Sequence, residues 1–173
     1  MITITSRMAG EMKEVAYLPQ ETALPDEELA YIVIRNPGKN LTITPFSRWG
    51  GGEYPKTYGH FHVPDYAENY QVLKGKAGFL LQRMEGEQLH QIQFKVVEEG
   101  ESFVVPAGWG HVSMNLGPDY LITRDDHDPA HFENDYSFVK KMRGFAYYIC
   151  EDGDSWKAVP NPAYGEVSAL EVI

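Results

Sequence analysis

The sequence predicts an all-β domain of short antiparallel strands, and three observations carry that reading. Runs rich in β-branched and aromatic residues recur from residue 31 onward, each closed by turn chemistry. Sixteen glycines and eleven prolines are spread along the 173 residues rather than clustered, which implies frequent reversals. One segment alone, 132–143, carries a helical pattern.

In chain order, residues 2–5 alternate as an outlying strand, and 18–28 (LPQETALPDEE) form an acidic, proline-containing lead-in expected to be flexible. Strands are expected at 31–35 (YIVIR), 40–46 (NLTITPF), 68–75 (ENYQVLKG) and 77–83 (AGFLLQR). Four more follow at 91–97 (QIQFKVV), 101–106 (ESFVVP), 111–115 (HVSMN) and 120–124 (YLITR). Asn36-Pro37-Gly38 and Leu116-Gly117-Pro118-Asp119 are turn sequences. A helix over 132–143 (FENDYSFVKKMR) would end at Gly144, before a last strand at 145–151 (FAYYICE). The polar tail beyond it is expected to wrap the outside. Strands this short and numerous build a sandwich or a barrel. The organisation expected is one domain: an N-terminal arm over 1–30, the β body over 31–151 and a wrapping tail over 152–173.

Composition narrows the function. A net charge of −10 repels phosphodiester backbones, so nucleic acid is excluded as a partner, and an anionic metabolite would need a locally positive pocket. One cysteine, Cys150, makes no internal disulfide, and no stretch approaches the ~20 apolar residues that span a bilayer. The N-terminal residues lack the pattern of a secretory signal. These features predict a cytoplasmic protein without a membrane partner.

The densest chemical signal is Thr57-Tyr58-Gly59-His60-Phe61-His62 followed by Glu68. Residues two apart on a strand share a face, so His60 and His62 present two imidazoles side by side. Pro64-Asp65 reads as a turn that folds Glu68 back toward them; along a straight strand the carboxylate would lie ~20 Å away. Downstream, the segment from Gly100 to Asn115 ends a strand at Pro106, turns through Gly108 and Gly110, and re-enters a strand at His111.

These two segments resemble the two cupin motifs. The first reads H-x-H-x5-E-x6-G from His60 to Gly75, and the second reads G-x5-P-x-G-x2-H-x3-N from Gly100 to Asn115. The first has one or two extra residues before Glu68 and lacks the usual upstream glycine. The resemblance implies a jelly-roll antiparallel β-barrel holding one divalent metal per subunit through His60, His62, Glu68 and His111. Three imidazoles and a carboxylate suit Fe²⁺, the ion favoured here, or Mn²⁺, Ni²⁺, Co²⁺ or Zn²⁺. An octahedral ion so held keeps two positions for water or a chelating substrate.

A finer resemblance is to the cupin-type glucose-6-phosphate isomerases of archaea and some bacteria. It rests on T-x-G-H-F-H at 57–62, E-x-Y at 68–70, L-K-G-K-x-G at 73–78 and P-x-x-W-x-H-x-x-x-N-x-G at 106–117. It extends loosely from about residue 31 to 164 and leaves the first thirty residues uncovered. It implies aldose–ketose isomerisation of a sugar phosphate, with Glu68 and Tyr70 catalytic and with Tyr31, Thr57, Gly59, Tyr70, Asn134 and Tyr136 holding the substrate. It also implies a homodimer, across which the N-terminal strand could pair. Where the family carries a histidine, this chain has Asn134, and His127 or His131 could substitute for it. Lys56 and Arg48 are candidates for local positive charge, and Trp109 for a wall of the pocket. An iron oxygenase and a non-catalytic sugar-binding cupin are the competing functions on the same scaffold.

Overall fold

Alternation along each strand decides which side chains enter the interior and which meet solvent. The computed structural model describes residues 2–36 and 38–173, so Pro37 of the expected turn lies outside the described residues. Two sheets enclose the interior. The first runs in the order β1 (Thr3–Met8), β2 (Leu29–Arg35), β3 (Asn40–Thr44), β10 (Leu121–Asp125), β5 (Glu68–Lys74) and β8 (Ser102–Val105). The second runs β14 (Glu171–Val172), β7 (Gln88–Val97), β6 (Ala77–Glu85) and β9 (Trp109–Asn115). Every pairing is antiparallel except that of β14 with β7. From β5 to β10 the chain crosses between the sheets four times, the winding of a jelly roll.

Two cores result. Val72, Phe79, Leu81, Val105 and Leu121 are buried between the sheets. On the other face of the second sheet, Leu80, Phe94, Val112 and Met114 pack with Phe145 and Ile149, and with Met12 and Val15 from the N-terminal segment. Both faces of β6 are therefore covered, which is why AGFLL is apolar at successive positions rather than alternately. Each large side chain so buried contributes roughly 1.5–3 kcal/mol.

Several sequence expectations change here. The helix expected over 132–143 spans Ser137–Lys141 and is preceded by a strand, β11 (Glu133–Asp135). β11 pairs with β4 (Phe61–Val63), and this long-range ladder overrides the local helical pattern. Asp135 Oδ1 then accepts the Ser137 N–H at 2.8 Å, starting the helix two residues later, and the Gly144 N–H closes it on the Val139 carbonyl. The tail after residue 151 has strand structure of its own: β12 (Tyr147–Asp152) and β13 (Ser155–Pro160) form a hairpin whose Trp156 meets Phe94 at 4.5 Å. Its turn, Gly153-Asp154, has Gly153 at φ 63, a conformation glycine takes without strain.

The N-terminal arm is part of the first sheet. β1 pairs along its length with β2, as the outermost strand of that sheet. The lead-in at 18–28 is anchored: the Gly50 N–H donates to Thr22 Oγ1, the Gly10 N–H to the Asp26 carbonyl, and Lys13 pairs with Asp26. No helix among the described residues is long and apolar enough to cross a membrane.

Candidate metal centre

The segment from Pro55 to His60 runs beside β9. The Thr57 N–H donates to the Ser113 carbonyl, and His60 and His111 exchange both backbone hydrogen bonds at 3.1 and 3.0 Å. That bridge sets His60 opposite His111, though 51 residues separate them in the chain. β4 carries His62 onward, and β5 returns with Glu68 first, its Glu68, Tyr70 and Val72 pointing inward.

The four side chains His60, His62, Glu68 and His111 offer donor atoms all within 4.8 Å of one another. His60 Nε2 stands 3.1 Å from His62 Nε2, and Glu68 Oε2 lies 3.4 Å from His62 Nε2 and 3.1 Å from His111 Nε2. Glu68, His62 and His111 are buried, and Glu68 Oε2 and His111 Nδ1 have no hydrogen-bond partner. Burial pushes the Glu68 carboxyl up to about 8 and holds His62 and His111 down to about 3 and about 4. His60 is driven well below its ordinary value by the same burial, reinforced by the other histidines.

Convergent lone pairs on neutral imidazoles, beside an orphaned buried carboxyl oxygen, are poorly satisfied by each other. One cation satisfies them all, and its charge favours the carboxylate form of Glu68. The donor set, three nitrogens and one oxygen, fits a divalent ion of the borderline class.

Above the cluster lies a cavity of about 290 Å³. Tyr31, Thr57, Gly59, Tyr70, Asn134 and Tyr136 all line it. The Tyr70 hydroxyl is 2.9 Å from His111 Nε2, and burial keeps it protonated. The Tyr31 hydroxyl accepts from the Tyr58 N–H at 3.4 Å, and burial pushes it up to about 12. Gly59 takes φ +84, and a β-carbon there would meet Val112 at 3.2 Å, so glycine is required for the chain to pass this close to β9. Asn134 Nδ2 donates to the Tyr136 hydroxyl at 3.3 Å, while its Oδ1 is buried without a partner.

Other expectations do not hold. Lys56 is buried against Glu53 at 2.5 Å and the Val15 carbonyl at 2.8 Å, tying the N-terminal segment to the barrel away from the cavity. Arg48 pairs with Glu151 on the outer surface. Trp109 packs against the inter-sheet core and does not line the cavity. Of the two loop histidines, His131 is exposed beside Asp128, whereas His127 lines the cavity with its Nδ1 2.6 Å from the Tyr66 hydroxyl. Asp125 is buried at the cavity wall. It accepts from Asn40 Nδ2 at 2.7 Å and from the His127 N–H, and burial raises it to about 6.

Two residues that sequence reasoning missed, Arg7 and Arg35, supply the positive charge. Arg35 was within reach: it lies four residues after Tyr31 on one strand and so shares its face. Arg7 was not, because its place depends on the pairing of β1 with β2.

A jelly roll with three histidines and a glutamate gathered on its inner strands defines a metal-binding cupin. The chain belongs to the glucose-6-phosphate isomerase family, whose model matches residues 6–164. It is 37% identical over 117 residues to a glucose-6-phosphate isomerase of Thermococcus kodakarensis, covering 67% of this chain and 59% of that one. The corresponding protein of Pyrococcus furiosus is 36% identical over 115 residues, covering 66% and 58%. A putative glucose-6-phosphate isomerase of Rhizobium meliloti is 35% identical, covering 65% and 51%. The matched stretch thus spans between a half and three fifths of these curated relatives. Among solved structures, a Bacillus subtilis oxalate decarboxylase variant is similar at TM-score 0.43 and 16% identity over 60% of this chain and 28% of that one, too slight to bear on function.

Proposed function

We propose that this protein is a metal-dependent aldose–ketose isomerase that interconverts glucose 6-phosphate and fructose 6-phosphate, or a closely related sugar phosphate. The observation that carries the reading is the convergence of His60, His62, Glu68 and His111 within 4.8 Å at the base of a polar cavity. Family membership supports it. A divalent ion, when bound, supplies Lewis-acid polarisation of the substrate carbonyl. Iron(II) is our choice for that ion, since mixed imidazole and carboxylate donors suit it.

The chain's own residues handle orientation and protons. Isomerisation moves a hydrogen between C1 and C2 of the open-chain sugar. Tyr70, a buried neutral hydroxyl beside His111, is placed to donate a proton to the developing oxyanion, and Glu68 to accept one from carbon. Thr57, the Gly59 amide, Tyr31, Asn134 and Tyr136 hold the rest of the sugar phosphate. A homodimer in the cytoplasm completes the proposal.

The test is a coupled assay of metal-loaded protein with fructose 6-phosphate under strictly anaerobic conditions. Turnover without oxygen is expected, with loss on chelation and graded recovery with Fe²⁺, Mn²⁺, Co²⁺ and Ni²⁺. A requirement for oxygen, or turnover indifferent to exhaustive metal removal, would overturn it.

A further inference from the structure

The net charge of −10 and the carboxyls of Glu68 and Asp125 at the cavity make a dianionic phosphate an unwelcome guest unless a cation receives it. The cations placed by sequence, Lys56 and Arg48, are committed elsewhere. We propose that Arg7, on the N-terminal strand, is the specificity-determining residue that receives the substrate's phosphate, gripping it with the two-pronged face of its guanidinium. The inference rests on the sugar-phosphate reading above and adds to it a wall of the site, β1, that the sequence motifs do not reach.

Arg7 stands opposite Tyr31 in the β1–β2 ladder and lines the cavity. Its guanidinium carbon lies 5.0 Å from the centre of the Tyr58 ring and 5.5 Å from that of Tyr136. Those two rings meet edge to face at 5.6 Å, so the cation rests on a preformed aromatic corner. Nη1 donates to Glu11 Oε1 at 3.0 Å, and the other oxygen of Glu11 accepts the Met8 N–H at 2.8 Å. Glu11 is thereby fixed at the end of β1 and steadies the guanidinium through one of its five N–H groups; the Tyr31 hydroxyl lies beside the same guanidinium, and the outward N–H groups face the cavity for a ligand. An i,i+4 pair of this kind on an open surface would be worth little; here it orients a cation whose side chain is only 32% exposed.

The neighbours of Arg7 are phosphate-binding types. Tyr31, the Thr57 hydroxyl and the Gly59 backbone share its part of the cavity lining. Arg35 is the other cation lining the cavity among the described residues, but its charge acts on His127 and Glu68, at the metal cluster. A substrate whose reacting C1–C2 end sits at that cluster carries its phosphate four carbons away, which leaves Arg7 to meet it. Stacked between rings and steadied by Glu11, the fork is pre-organised, and an ammonium could neither stack nor bind bidentately in its place.

The experiment compares metal-loaded wild type, Arg7→Met, Arg7→Lys and, as control, Arg48→Met. Two readouts are taken on each: kcat and KM for fructose 6-phosphate, and the affinity for inorganic phosphate by calorimetry. Losing charge-assisted hydrogen bonds to one phosphate should raise KM about 10- to 100-fold in Arg7→Met, with kcat changed little. Phosphate affinity should fall in parallel, Arg7→Lys should recover part of both, and Arg48→Met should match wild type. A folded Arg7→Met protein with wild-type KM and phosphate affinity overturns the proposal. If Arg7→Met does not fold, Arg7→Lys decides: weakened phosphate binding sustains the fork, and wild-type binding overturns it. Should wild type turn over no sugar phosphate, the isomerase reading fails separately. The phosphate affinities of wild type and Arg7→Met still judge Arg7.

Discussion

The ring of Phe61 lies over Gly110 so closely that a β-carbon on residue 110 would stand 2.5 Å from its Cζ. Phe61 separates His60 from His62 on one strand, and Gly110 directly precedes His111 on another. One contact therefore spaces three of the four candidate ligands. Gly110 has no positive φ, so its role is room for the ring, not backbone freedom. In Gly110→Ala the ring must move, and it is also packed by Phe138 and Phe145 at about 6 Å. We expect metal affinity to fall at least about 10-fold, the loss typical of disturbing the support of a ligand. The control is Gly117→Ala, where a new β-carbon would meet only ordinary contacts at 3.5 Å or more. Metal titration beside circular dichroism checks it; unchanged affinity in Gly110→Ala would mean the ring has space to yield.

Direct removal of ligands should act on the ion and spare the fold. His60→Ala, His62→Ala and His111→Ala should each lose most of the bound metal while retaining the far-ultraviolet spectrum of a β protein. The reason is that the aliphatic and aromatic cores, Val72, Phe79, Leu81 and Leu121 inside and Leu80, Phe94 and Met114 outside, are separate from the cluster. Elemental analysis decides it. Full occupancy in all three variants would sink the ligand assignment.

Asp125 should make stability depend on pH in the metal-free protein. Its carboxyl titrates near 3.8 when unfolded and at about 6 when folded, chiefly because it is buried. Between those values the native state holds a proton that the unfolded chain has released. Stability therefore falls as pH rises from about 4 to about 6, and above that the full cost, about 3 kcal/mol, persists. Asp125→Asn keeps an oxygen to accept from Asn40 and from the His127 N–H but cannot ionise. Urea denaturation should show the variant more stable than wild type at pH 7, by up to that amount, and nearly equal at pH 4. An equal gain at both values would assign the effect to packing.

Asn134→His should tighten binding of a sugar phosphate. Asn134 faces the cavity with a buried, unpartnered Oδ1 and pairs across the ladder with His62. An imidazolium there would offer a charge-assisted bond, about twice as strong as a neutral one. We expect a lower KM for fructose 6-phosphate, most clearly at a pH where the new side chain is protonated, and no change for unphosphorylated fructose. Equal effects on both sugars would mean that residue 134 acts through the β4–β11 ladder alone.

The sequence by itself determined what depends on short spacing. The two-residue period put His60 and His62 on one face, Pro64-Asp65 turned the chain, Glu68 opened one strand and His111 came two residues into another; all four donors meet. Most of the strands were legible for the same reason, since their apolar alternation is local. Where both faces are buried, as in β6, the run of apolar residues still read as strand because it was short and bounded by Gly75 and Gly86.

Tertiary structure decided what depends on a partner far along the chain. Residues 133–135 carry a helical pattern yet lie as a strand, because β4 offers them a ladder whose hydrogen bonds local propensity does not register. Lys56 resembled a pocket cation but is buried on Glu53 and the Val15 carbonyl. Arg7, in a segment the motifs left uncovered, enters the cavity only because β1 adds to the edge of β2 with Arg7 opposite Tyr31. The metal cluster is assembled by motifs that encode their own geometry. The charge that balances the cavity is assembled by strand pairing, and pairing is settled by which edges the folded barrel leaves open.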